Sequence, residues 1–171
     1  MIIRDAGERD ASPIRDIRLD IVRDPVITFT THEPDIAEVQ ADIKSAFDDG
    51  RAFLVAEKGG QVIGYATWNE FRKGPGYRFT AEHSVYVRAG HKGEGVGGAL
   101  MTALLDRAAA SGLKMMVAGI SAENREGLDF HKRLGFQEVG RMPGVGFKGN
   151  RFLDLVLMQI ALGADTSAKG E

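Results

Sequence analysis

The chain has 171 residues, a formal net charge of −2, 43% hydrophobic and 27% charged residues. That is enough chain for a single domain with one sizeable core, and with no basic run it offers little to nucleic acid or an anionic membrane surface. There is no cysteine, which excludes disulfides, cysteine-ligated zinc and a thiol nucleophile. Met1-Ile2-Ile3 is followed at once by charge, and no apolar run nears membrane-spanning length, so neither a signal peptide nor an anchor is expected and a cytoplasmic setting is the default.

In chain order, Ile2–Arg4 reads as a short strand. Asp10 or Ser12 is placed to cap a helix with Pro13 in its first turn and Ile14, Ile17, Leu19, Ile21 and Val22 on its apolar side. Asp24-Pro25 ends it, and Val26–Glu33 has no helical period. A second helix starts at Pro34-Asp35, with Ile36, Val39, Ile43, Ala46 and Phe47 at helical spacing and Gly50 as its stop. Ala52–Glu57 and Gln61–Asn69 read as a hairpin around Lys58-Gly59-Gly60. Phe71–Thr80, with Gly74-Pro75-Gly76, reads as a loop. Glu82–Arg88 is a strand, followed by a glycine loop and a helix from Ala99 to about Ser111. Lys114–Ile120 is expected as a strand parallel to Glu82–Arg88. Asn124–Leu134 is a helix with Leu128, Phe130, His131 and Leu134 inward. Phe136–Arg141 and Phe152–Ile160 are the last strands, joined by a Gly-rich connection. Residues 1–162 form one domain, and 163–171 are a small, polar tail expected to be disordered.

The stretch Glu82–Leu100 organises this order. Gly93, Gly95, Gly97 and Gly98 fall between a strand and a helix. Such a turn aims free backbone N–H groups and the positive end of a helix dipole at one spot, which suits a phosphate. Gly93-x-Gly95-x-x-Gly98 also fits a dinucleotide-binding fingerprint. In that fold, however, the glycines follow the first strand. Here they follow the fourth, after a hairpin, which argues against that reading. No Gly-Lys-Ser/Thr follows, so a P-loop is excluded. The four histidines show no metal-ligand spacing, and no metal is expected.

The chain resembles the GCN5-related N-acetyltransferase superfamily over nearly its whole length. Lys92-Gly93-Glu94-Gly95-Val96-Gly97 resembles the Q/R-x-x-G-x-G/A pyrophosphate loop, with Lys92 in place of Gln or Arg. Asn124-x-x-Gly127-x-x-x-His131-x-x-x-Gly135-Phe136 resembles its N-x-x-A-x-x-x-Y-x-x-x-G-F helix, and the strand order agrees. Phe29-x-Thr31, Thr80–Val87, Phe130-His131 and Val145-Gly146-Phe147-Lys148 with Leu153-Asp154-Leu155 are similar to the phosphinothricin and methionine sulfone/sulfoximine acetyltransferases. The fold this implies is α/β (α+β): a mixed, mostly antiparallel sheet flanked by helices and splayed between its fourth and fifth strands.

The resemblance implies acetyl-CoA as co-substrate and a small amino acid or analogue as acceptor. It also implies a homodimer. Alternatives are a protein or peptide N-terminal acetyltransferase and a non-catalytic acetyl-CoA sensor. Val85, Tyr86 and Val87 would pair with the pantetheine arm, and Lys92, Gly93, Glu94, Gly95, Val96, Gly97 and Gly98 would hold the pyrophosphate. Asn124 would reach the pantetheine amides, and Arg133 or Lys132 the ribose phosphate. Glu82, by pattern alone a solvated strand-end carboxylate, becomes by resemblance the base that deprotonates the amine. His131 is either a proton donor to the leaving thiolate, a base acting through water, or a helix histidine hydrogen-bonded in the core. His83 points to the opposite face from Glu82 by strand alternation and reads as structural. Phe29, Thr30, Arg72, Pro75, Gly76 and Tyr77 would line the acceptor pocket. Arg72, Lys73, Arg78 and Lys148 are the candidate cations for a substrate carboxylate.

Overall fold

A computed structural model describes residues 1–163, so the expected polar tail lies, from 164 onward, outside the described residues. The elements are β1 (Ile2–Asp5), α1 (Ala11–Arg23), α2 (Ile36–Asp48), β2 (Phe53–Lys58), β3 (Gln61–Glu70), β4 (Thr80–Val87), α3 (Val96–Ala110), β5 (Met115–Ser121), α4 (Arg125–Arg133), β6 (Gln137–Lys148) and β7 (Arg151–Ala161). The strands form one sheet in the order β1-β2-β3-β4-β5-β7-β6. Only β4 and β5 are parallel neighbours, as expected for strands joined through a helical crossover. Every other adjacent pair is antiparallel.

Strand alternation divides the core between two faces. Phe53, Val55 and Tyr65 point to α1 and α2, where they meet Ile14, Ile17, Ile21, Val39, Ile43 and Ala46. Leu54, Ala66, Met116, Val156 and Met158 point to the other face, against Leu100, Met101, Leu104 and Ala108 of α3 and Leu128 of α4. Local signals set the ends of the elements. Asp35 and Glu38 form a reciprocal capping box at α2. Gly59 and Gly60, both at positive φ, close the β2–β3 hairpin. The Asn124 side chain caps α4 by accepting from the Gly127 N–H.

Four expectations change. Asp10 does not cap α1: its buried carboxylate accepts from Gly7 N and from the Arg4 guanidinium at 2.7 and 2.8 Å. α3 starts at Val96, not Ala99, because Gly95 turns left-handed just before it. Ile36 and Phe47 are exposed, since the buried stripe of α2 runs through Val39, Ile43 and Ala46. The Gly-rich segment after Arg141 is strand: β6 runs on to Lys148, with register shifts between Glu138 and Gly140 and between Met142 and Gly146. Bulges absorb the extra residues, and Asp154 Oδ1 accepts from Gly144 N to hold one of them. The actual turn is Gly149-Asn150, both left-handed.

Gly64 sets how closely α3 lies on the sheet. A Cβ there would stand 2.9 Å from the Tyr86 carbonyl oxygen and within 3.2 Å of Leu100 and Val96. Gly64→Ala is therefore expected to destabilise the chain by about 1–3 kcal/mol through overpacking, read as a lower midpoint in urea unfolding.

Candidate active site

The β4–β5 ladder is short. Thr80, Ala81 and Glu82 pair with Met115, Met116 and Val117, and there the pairing stops. β3 continues to pair β4 as far as Val87, and β7 continues to pair β5 as far as Ser121. The two strand edges that face each other beyond Glu82 thus have no ladder partners. A cleft of about 590 Å³ opens between them. Such an edge accepts an extended arm by strand addition.

At the far end of β4 the glycine loop closes the cleft. Gly93 and Gly95 have φ of 83° and 79°, a conformation reserved in practice for glycine. Among the described residues, none of the backbone N–H groups from Gly93 to Gly98 donates to a protein group; the first to do so is Ala99, to Gly95 at 3.0 Å. Free amides at the N-terminus of a 15-residue helix form an anion site. Val85, Tyr86, Val87, Lys92, Gly93, Gly95, Val96, Gly97, Asn124 and Arg133 all line this one cleft, as expected. Glu94 and Gly98 do not line it. Glu94 turns instead to Lys58, 2.7 Å away. Lys92 reaches Glu126 of α4 at 3.2 Å, and both belong to the cleft wall. The Asn124 carbonyl is committed to its cap. These free amides and the open strand edge fit the diphosphate and the amide-bearing arm of acetyl-CoA.

Glu82 stands where the ladder ends. It is half-buried with no hydrogen-bond partner among the described residues, and desolvation pushes its carboxyl above the ordinary range. Its Oε1 lies against Gly119 of β5, where a Cβ would be only 2.8 Å away. A glycine inside an apolar strand marks such a close approach, so Gly119 was the signal for this contact that sequence reasoning passed over. By alternation Ser84 and Tyr86 share the face of Glu82, and Ile21 and Ile27 complete that side of the cleft.

His83 and His131 lie on the opposite face. His131 Nδ1 is 2.6 Å from the Gly127 carbonyl oxygen, which only accepts, so Nδ1 carries the proton. Its Nε2 is 3.1 Å from His83 Nε2. The neutral His131 must accept there, which fixes the proton on His83 Nε2. Burial pushes both imidazoles down, His83 to about 3. In this arrangement both His131 nitrogens are engaged, Nδ1 with the Gly127 carbonyl and Nε2 with His83. His83, read as merely structural, is its hydrogen-bond partner and lines the cleft.

The six acceptor residues are not brought together in one chain. Phe29 lies against Gly146 of β6. Thr30 is exposed, and its hydroxyl accepts from His32 N. Arg72, Pro75 and Tyr77 line a separate concavity with Trp68, Phe79 and Leu113 that shares no residue with the cleft. Gly76 sits in the 3₁₀ turn of that loop without lining either. Of the four candidate cations, Arg72 lies over Phe71, Arg78 over Phe79, and Lys148 is buried against backbone carbonyls, while Lys73 is exposed and lines the separate concavity.

Residues 15–136 match the model of the acetyltransferase (GNAT) family. The chain is 42% identical to an L-methionine sulfoximine/L-methionine sulfone acetyltransferase of Pseudomonas aeruginosa, over 97% of each chain. It is 38% identical to an L-amino acid N-acyltransferase of Escherichia coli, over 95% of this chain and 94% of that one. A phosphinothricin acetyltransferase of Sinorhizobium meliloti, solved in complex with acetyl-CoA, superposes with a TM-score of 0.91 at 34% identity, over 99% of this chain and 92% of that one.

Two outcomes follow from the geometry. Gly95→Val forces a β-branched residue into φ near 79°, and a folded variant is expected to bind acetyl-CoA at least tenfold more weakly in calorimetry. The histidine pair makes stability depend on pH. Both are neutral in the native state, whereas an unfolded histidine takes a proton below about 6.5. Both folded values are lowered, His83's to about 3, so the pair's contribution is complete above about pH 6.5 and the His83 share is lost as pH falls toward about 3. Urea unfolding at pH 8 and pH 5 should show wild type losing more stability over that interval than His83→Phe.

Proposed function

The chain belongs to the acetyltransferase (GNAT) family, and we propose that it moves the acetyl group of acetyl-CoA to the amino group of a small amino acid or analogue. Methionine sulfone, methionine sulfoximine and phosphinothricin are the model acceptors, on the strength of the relatives' activities. The observation that carries the reading is the joint placement of a free strand edge, an amide-rich helix start and an unpartnered carboxylate along one splay.

The glycine-loop amides hold the diphosphate, and the open edge of β4 holds the arm as an added strand. Glu82 removes a proton from the substrate ammonium, directly or through one water. The raised carboxyl makes it a stronger base than an exposed glutamate. The freed nitrogen attacks the thioester carbonyl carbon. A C–N bond forms and the C–S bond breaks, the electron pair leaving on sulfur. Backbone N–H groups of the β4 edge face the carbonyl oxygen as charge develops on it. As the amide forms the nitrogen gives its surplus proton to solvent; the thiolate leaves readily, since a thiol has a pKa near 8.5, and takes a proton from solvent. His131 and His83 hold the α4 wall of the cleft.

The enzyme is read as a cytoplasmic homodimer. The family resemblance supports this, as do the exposed apolar side chains Val139, Met142, Val145, Phe147 and Phe152 of the last hairpin, which a subunit contact would cover.

Glu82→Gln keeps shape and removes basicity. It is expected to lower turnover of the preferred amino acid by about two to four orders of magnitude, with acetyl-CoA affinity unchanged and partial recovery at high pH. A steady-state screen over amino acids, their sulfone analogues and N-terminal peptides tests the acceptor class. Turnover of peptides alone would reverse the acceptor assignment, and acetyl-CoA binding without turnover would make the chain a sensor.

A further inference from the structure

β6 builds one particular segment, and it does so with two adaptations on one face. Lys148 Nζ donates to the carbonyl oxygens of Asp24 at 2.6 Å and Thr28 at 2.8 Å, and the residue is only 7% exposed. The Asp24 carboxylate in turn accepts from Val26 N and Ile27 N at 2.8 and 3.0 Å. One ammonium thus clamps the carbonyls at both ends of a five-residue loop, while one carboxylate clamps its inner amides. Two residues before Lys148 and on the same side of the strand, Gly146 leaves a hole that the Phe29 ring fills; a Cβ there would stand 2.4 Å from the ring.

The clamped segment faces the side of the sheet that carries Glu82. Ile27 lines the cleft with Ile21, Ser84 and Tyr86, and it packs with Tyr86 against the α1–α2 core. The clamp itself makes no hydrogen bond to the glycine loop or to α4, the two elements on the donor side. Burying an ammonium among carbonyls is expensive, and burial pulls the Lys148 pKa down. An apolar residue of similar volume would often serve stability as well or better. What the lysine supplies is a fixed loop shape.

We propose that Lys148 is a positioning residue for the acceptor: through the carbonyls of Asp24 and Thr28 it holds residues 24–29 in the shape that sets Ile27 into the cleft wall, on the face of β4 that carries Glu82. This rests on the amino-acid acetyltransferase reading above. Phe29, seated on Gly146, is the second anchor of the same wall.

The test uses the full chain with methionine sulfone as acceptor. Lys148→Met keeps the stem and removes the donors. It is expected to raise the acceptor KM about tenfold or more while the acetyl-CoA KM stays within about twofold. Amide exchange at Val26 and Ile27 should speed up, with the glycine-loop helix unchanged. Lys148→Arg, which keeps the charge and donors, should recover part of the acceptor KM. Gly146→Ala leaves Lys148 intact and displaces Phe29, and it should raise the same KM; it also decides the matter if Lys148→Met does not fold. A uniform rise in both KM values, or a lower Tm with neither KM moved, would overturn the proposal. A wild type that turns over no amino acid at all sinks the acceptor reading instead. The exchange arm then decides the clamp: unchanged exchange at Val26 and Ile27 overturns it, and faster exchange confined to 24–29 upholds it.

Discussion

Two neighbouring strands that stop pairing in the middle of a sheet form the constraint on which this structure turns. β4 and β5 share three residue pairs, Thr80–Glu82 with Met115–Val117, and then diverge. A buried backbone group without a partner costs about 1–3 kcal/mol, so a splay of this length is worth keeping only if something else supplies the missing partners. The outer ladders remain intact, β3 on one flank and β7 on the other. The sheet therefore stays paired on both flanks while its centre is open.

The splay also separates two kinds of work onto two faces. On the α3–α4 face are the glycine-loop amides, the Lys92–Glu126 pair and the His83–His131 pair, all around the donor's path. On the α1–α2 face are Ser84 and Tyr86, which line the cleft with Ile21 and Ile27, and Glu82, which is outside the lining and rests against the cleft residue Gly119. Alternation along β4 enforces this division, since Glu82 and His83 cannot point the same way. The half-buried Glu82 carboxylate is thereby kept apart from the imidazoles and from the free amides of the glycine loop. Its Oε1 rests against a glycine of β5, no hydrogen-bond partner among the described residues meets it, and burial raises its basicity.

The last hairpin supports the 24–29 segment although β6 lies at the sheet edge. Its bulges allow β6 to continue through a glycine-rich stretch and still place Gly146 and Lys148 under the 24–29 segment. Those glycines read as a loop in sequence because glycine punctuates loops and bulges alike. The pairing partner decides which, and β7 is that partner.

Much of this protein was legible in its residues. The order of elements, the Gly59-Gly60 hairpin, the strand–glycine–helix unit and the Asn124 cap are local, since spacing and backbone preference act over a few residues. Glycines at positive φ and a run of free amides announce a phosphate site wherever the chain goes afterwards. Ten of the twelve residues assigned to the donor line one cleft because they follow each other along a strand, a loop and a helix. What the sequence could not decide depends on side chains meeting from distant positions. His131 looked equally like a proton donor and a core residue until Gly127 and His83 claimed both its nitrogens. Phe29 and the 72–77 loop looked like one pocket, yet packing sends Phe29 to Gly146 and leaves the loop at the start of β4, at the opposite end from the glycine loop. Lys148 looked like a solvated cation free for a carboxylate, but tertiary contact buries it on two carbonyls more than a hundred residues away. Local geometry is written in neighbouring residues; the protonation and partner of a side chain are set by whatever the fold brings against it.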